Sequence, residues 1–110
     1  MLGSAQLVFA DQTLTQDEVK SLFTDKTFDG VNTKSGRAFS IYFSPDGTVA
    51  ITYSDGKSTS GTWNVTDDGQ HCVSLSGCSV VIDKGEGVYH KVKDGAQTHL
   101  LKNPRAGKQL

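Results

Sequence analysis

The sequence has little of what usually announces chemistry. Its apolar runs, such as Leu7-Val8-Phe9-Ala10 and Val80-Val81-Ile82, fall far short of the roughly 18 residues needed for a membrane-spanning helix. Charge of one sign is lacking: 11 Lys and Arg face 12 Asp and Glu, a net charge of −1. No global field therefore draws the chain to nucleic acid or to an anionic membrane, and no nucleic-acid partner is expected. Gly56-Lys57-Ser58 mimics the end of a phosphate-binding loop, but the glycine required five positions earlier is Ile51, so the motif fails. No Gly-x-Ser-x-Gly elbow is present, and Asp67-Asp68 reads as turn chemistry rather than a catalytic carboxylate pair. Asn64-Val65-Thr66 fits a glycosylation sequon but falls within an expected strand. No catalytic group and no cofactor is expected. Repeats and low-complexity linkers are missing too, so residues 1–110 read as one domain with a modest core. With one Trp and five Phe, those aromatics must supply much of its volume.

Cysteine is scarce but paired. Cys72 and Cys78 are the only two, and they bracket Val73-Ser74-Leu75-Ser76-Gly77. Across a bend this spacing lets the two Cβ atoms meet, and closing so short a loop stabilises by roughly 2 kcal/mol. The alternatives are two buried thiols or, with His71, part of a zinc site whose second ligand pair is missing locally. A disulfide points to an oxidising compartment. The start of the chain points the same way, because Leu7–Ala10 before Asp11 resembles the end of a secretory signal, although no basic segment precedes it. Residues 1–10 are thus either a signal remnant or a first strand. A periplasmic or secreted location is expected.

What the chain has in quantity is strand and turn signal. One stretch reads as helix: Thr15-Gln16-Asp17-Glu18 is a capping box, and Val19, Leu22 and Phe23 form an apolar stripe. This predicts a helix over 15–24, plugging or covering a barrel end. Beyond Lys26 the period becomes two. Phe39, Ile41 and Phe43 alternate with Ser40, Tyr42 and Ser44, and Val49, Ile51 and Tyr53 alternate with Thr48, Ala50 and Thr52. Asp-Gly pairs at 29–30, 46–47, 55–56, 68–69 and 94–95 punctuate the chain. Strands are predicted near 27–32, 38–44, 48–54, 60–66, 70–74, 78–83, 88–93 and 97–102, with 103–110 as a frayed tail. Short connections make this an antiparallel meander, and seven or eight strands close most economically into an up-and-down barrel over 27–102.

The matching residues Phe28, Gly30, Gly47, Gly61, Trp63, Cys72, Cys78, Tyr89 and Gly95, spread over 14–102, resemble those of small bacterial lipocalin-like barrels. The resemblance implies an all-β, mainly antiparallel barrel of seven or eight strands with one short N-terminal helix, exported and without an assigned function. The hairpin Tyr89–Gly95 also resembles periplasmic inhibitors of bacterial metalloproteases, whose cysteines stand further apart than Cys72 and Cys78. That likeness implies inhibition through an N-terminal segment.

Candidate site residues come from the aromatic faces and from the last hairpin. A two-residue turn at Asp94-Gly95 would set His90 directly opposite His99, on a face shared with Val88, Val92 and Leu101. The other face would carry Tyr89, Lys91, Lys93 and Lys102. Two facing imidazoles could bind a metal, an anion or a ligand carbonyl, or simply be polar groups at the barrel mouth. Trp63 reads as a core anchor whose indole N–H needs one partner, or as the floor of a pocket. Phe39, Phe43, Trp63, His90 and His99 are the residues expected to line an interior pocket, and an interior mostly filled by side chains is favoured. The functional expectation is a non-enzymatic, exported barrel that binds a small molecule or a protein partner. A protease inhibitor and a metal binder using His90 and His99 are the alternatives.

Overall fold

The computed structural model describes residues 11–110, and the expectations for residues 1–10 lie outside the described residues. The elements, in chain order, are β1 (Gln12–Thr13), α1 (Gln16–Phe23), β2 (Lys26–Asn32), β3 (Ala38–Phe43), β4 (Thr48–Tyr53), β5 (Ser58–Val65), β6 (His71–Val73), β7 (Gly77–Gly85), β8 (Val88–Lys93) and β9 (Ala96–Ala106). From β2 to β9 each strand pairs antiparallel with the next, and β9 returns to pair with β2. The result is an eight-stranded closed barrel. β1 takes up the edge of β7 that the short β6 leaves open.

Four of the five Asp-Gly pairs make the expected turns. At Asp94-Gly95 both residues have positive φ, 52° and 81°, the geometry whose twist suits a two-residue hairpin. Asp29-Gly30 departs from the pattern and lies inside β2. There Gly30 serves packing: a Cβ on it would stand 2.4 Å from the Phe39 ring and 2.9 Å from Leu101.

The alternation read from the sequence sets the inward faces of β3 and β4. Ile41, Phe43, Val49 and Ile51 are buried there, and they join Phe28, Val73, Val81 and Leu101 in the core. α1 closes one end. The Thr15 hydroxyl accepts from the Glu18 amide at 3.3 Å, and the Glu18 carboxylate accepts from the Thr15 amide at 2.9 Å, which completes the capping box. Val19 and Phe23 are fully buried. The Phe23 ring reaches Phe28 at 4.9 Å, Phe43 at 5.0 Å and His71 at 4.0 Å. The helix therefore plugs the barrel end at which β2 begins.

The chain beyond Lys102 is wall rather than frayed tail, which corrects the sequence reading. β9 continues to Ala106, with Arg105 opposite Thr27 and Ala106 opposite Lys26. A bulge makes this possible: Asn103 takes φ 55° and the register shifts between Thr27 and Asp29. Pro104, which has no amide to donate, sits beside that irregularity, where strands tolerate proline. Arg105 pairs with Asp29 at 3.0 Å, and the Thr27 hydroxyl donates to the Gly107 carbonyl at 2.7 Å.

Candidate functional site

A cavity of about 340 Å³ opens at the barrel end opposite α1. Phe39, Ile41, Phe43, Ile51, Tyr53 and Leu101 provide its apolar wall, from the inward faces of β3, β4 and β9. Its volume lies at the lower end of the range typical of small-molecule pockets. The interior is thus open at one end, whereas a filled interior was favoured on composition. The aromatics cluster around α1, and that clustering frees space at the other end.

Two ionisable side chains project into this apolar space, Lys91 from β8 and His99 from β9. They are direct partners in the β8–β9 register. Lys91 is only 5% exposed, and among the described residues no carboxylate forms an ion pair with it. Burial lowers the Lys91 ammonium to about 7. His99 is lowered as well, first by burial and then by the nearby Lys91 charge. Its Nδ1 lies 3.0 Å from the Thr98 hydroxyl, and its ring meets Phe39 edge-on at 6.0 Å. At the mouth, the Arg37 guanidinium lies 3.6 Å over the Tyr53 ring and pairs with Asp55 at 3.1 Å. Three basic residues, Arg37, Lys91 and His99, line the cavity among the described residues. Among the described residues, no Asp or Glu lines it.

The expected pairing of His90 with His99 is overturned. The turn is the predicted one, with Lys93 opposite Ala96, but the register shifts between Lys91 and Val92. Thr98 is the extra residue, and beyond it His90 faces Leu100 while Lys91 faces His99. The two imidazoles thus lie on opposite faces of the barrel wall and cannot share an ion. Tyr89 and Lys91 turn inward, and Val88, His90 and Val92 turn outward, the reverse of the sequence reading. Among the described residues no cluster of three His, Cys, Asp or Glu side chains is placed to hold a metal.

Of the five pocket candidates, Phe39, Phe43 and His99 line the cavity. Trp63 does not. It packs against Phe43 at 5.5 Å and His71 at 5.6 Å, and its indole N–H donates to the Ser44 carbonyl at 2.9 Å. His90 stands outside. Sequence reasoning missed Lys91, the most distinctive residue here. Its neighbours Tyr89 and Lys93 made that face read as solvated, and a bulge at a threonine carries no turn signal.

A second imidazole lies deeper. His71 is fully buried, stacks on Phe23, and has no hydrogen-bond partner at either ring nitrogen among the described residues. Burial, and after it the Lys91 charge, hold it well below the ordinary histidine range, so it is neutral. Cys72 and Cys78 are disulfide-bonded and directly opposite each other on β6 and β7. No helix among the described residues is long and apolar enough to cross a membrane.

No curated protein matches the chain in sequence. A family model described as "Protein of unknown function (DUF995)" matches residues 4–106. The match covers the whole barrel and nearly the whole chain, and the chain belongs to that family.

Proposed function

We propose that this barrel is a non-enzymatic binding protein, exported to an oxidising compartment, whose cavity takes a small molecule with an apolar body and an anionic or strongly accepting head. One observation carries this reading: a buried lysine with no counter-ion among the described residues lines an open, apolar cavity. Desolvating an amine costs stability, so a chain that only needed to fold would place methionine or leucine at position 91. A ligand carboxylate would supply the missing counter-charge and restore the ammonium, while Phe39, Ile51 and Tyr53 would sheathe its chain. His99 would donate to the same head, and Arg37 would guard the mouth. The disulfide is compatible with export.

Calorimetric titration with straight-chain carboxylates tests the reading. Affinity should peak at a finite chain length, because the cavity is bounded, and should fall about tenfold or more in Lys91→Met. Binding should tighten as pH falls from 9 towards 6, with proton uptake, since the charged Lys91 is the form that holds an anion. Affinity indifferent to Lys91 and to chain length would sink the proposal.

A further inference from the structure

We propose that Lys91 also captures small apolar aldehydes covalently, as a reversible imine formed inside the cavity. The inference rests on the cavity reading above and specifies a further ligand class for the same site. Three features carry it. Lys91 is only 5% exposed, yet it lines the cavity. No carboxylate among the described residues pins it as an ammonium. His99, its direct partner across β8 and β9, projects from the same face, where paired side chains start about 5 Å apart. A lysine becomes a nucleophile when desolvation or a neighbouring cation favours its neutral form. Burial provides the first here, and an amine near 7 is largely neutral in mildly alkaline solution.

The step balances without any oxidant or reductant. The Nζ lone pair attacks the carbonyl carbon, forming the C–N bond and moving the C=O π pair onto oxygen. One proton passes from nitrogen to that oxygen, and His99 is placed to relay it. The nitrogen lone pair then forms the C=N bond as the C–O bond breaks, and the departing hydroxide takes the second nitrogen proton, so amine and aldehyde give imine and water. An apolar cavity favours this outcome, because it holds the alkyl chain beside the amine. A carboxylate and an aldehyde would thus compete for one site with opposite pH preferences. The first needs the ammonium and the second the free amine.

The test is octanal with sodium cyanoborohydride on the intact protein, read by peptide mass mapping. The expected product is a single alkylation at Lys91, exceeding that at exposed lysines such as Lys57 and Lys102 by about tenfold. Octanoate should suppress it, and the yield should rise with pH through 7. Lys91→Arg keeps the charge and should lose the adduct. Lys91→Met, which removes the buried amine altogether, serves as a second variant should the arginine not be accommodated. Labelling spread evenly over the lysines, with octanoate still bound, would overturn the imine and leave the cavity reading standing. Failure of octanoate and octanal alike would remove both.

Discussion

At the scale of the residue, Lys91 and His71 are the two groups whose placement works against stability. The unfolded chain binds a proton at Lys91 below about 10.5, and the folded chain only below about 7. The folded pKa is the lower one, so stability is lost as pH falls from 10.5 to 7 and stays reduced below that. A shift of this size is on the order of 5 kcal/mol at most. Lys91→Met should therefore raise the unfolding midpoint at pH 7, by about 2–5 kcal/mol in stability, and the gain should shrink as pH approaches 10.5. Urea unfolding of both proteins at several pH values measures it, and a destabilised methionine variant would contradict the argument. His71 follows the same sign in a lower window. Its contribution is intact above 6.5 and is lost as pH falls below that value. Asp29, Asp46, Asp55 and Asp68 are held below 3.8 by hydrogen bonds and keep their contributions to lower pH. Loss of stability as pH falls below 6.5, before the aspartates titrate, thus belongs largely to the histidines, and His71→Leu should flatten that limb in the same urea series.

At the scale of the element, the strands were legible because their chemistry is local. The alternation of Phe39, Ile41 and Phe43 and the capping box at Thr15 each decide their own segment. The site was legible only in part, because it depends on register. Phe39, Phe43 and His99 line the cavity, whereas Trp63 and His90 do not. One extra residue at Thr98 inverts the faces of β8, so it hides Lys91 and separates His90 from His99. Asn103 likewise extends β9 past the point where the periodic pattern stops. Bulges at threonine and asparagine are set by the closure of the whole barrel, and a local pattern cannot register them. The turn before β6 carries a different lesson. Gly69 has φ 86°, and a Cβ there would lie 3.0 Å from the Leu14 carbonyl oxygen and 3.1 Å from the Gln16 amide. It is both a turn residue and the seat of the start of α1. Gly69→Ala should cost about 1–3 kcal/mol and loosen the helix. Amide hydrogen exchange would report the loosening as faster exchange confined to α1 and the β5–β6 turn. Uniform exchange would refute the coupling.

At the scale of the whole molecule, the two barrel ends have divided labour. The end nearest α1 is packed with aromatic rings, Phe23, Phe28, Phe43, Trp63 and His71 forming one connected cluster. The other end is open and basic. Substitutions at the first should register chiefly in stability, and those at the second in binding. Gly30→Ala tests the boundary. Its new methyl must push the Phe39 ring, which borders the cavity, so ligand affinity should fall by about tenfold while stability drops by only about 1–2 kcal/mol. Titration and urea unfolding of one variant separate the two effects; a large stability loss with affinity unchanged would count against the division.

The seam between β2 and β9 joins residues some seventy to eighty positions apart, with Asn32 against His99 and Lys26 against Ala106. During folding the meander from β2 to β8 can zip by short hairpins. The seam must wait for the longest loop closure in the molecule, whose entropy cost has to be met before any contact rewards it. Until then β2 presents an open edge, an invitation to pair with another chain. The cavity has no complete wall before that moment either, because His99 and Leu101 arrive with the sealing strand. Ligand competence is therefore the last property this chain acquires, and it should appear in a single step, at the rate at which the seam shuts.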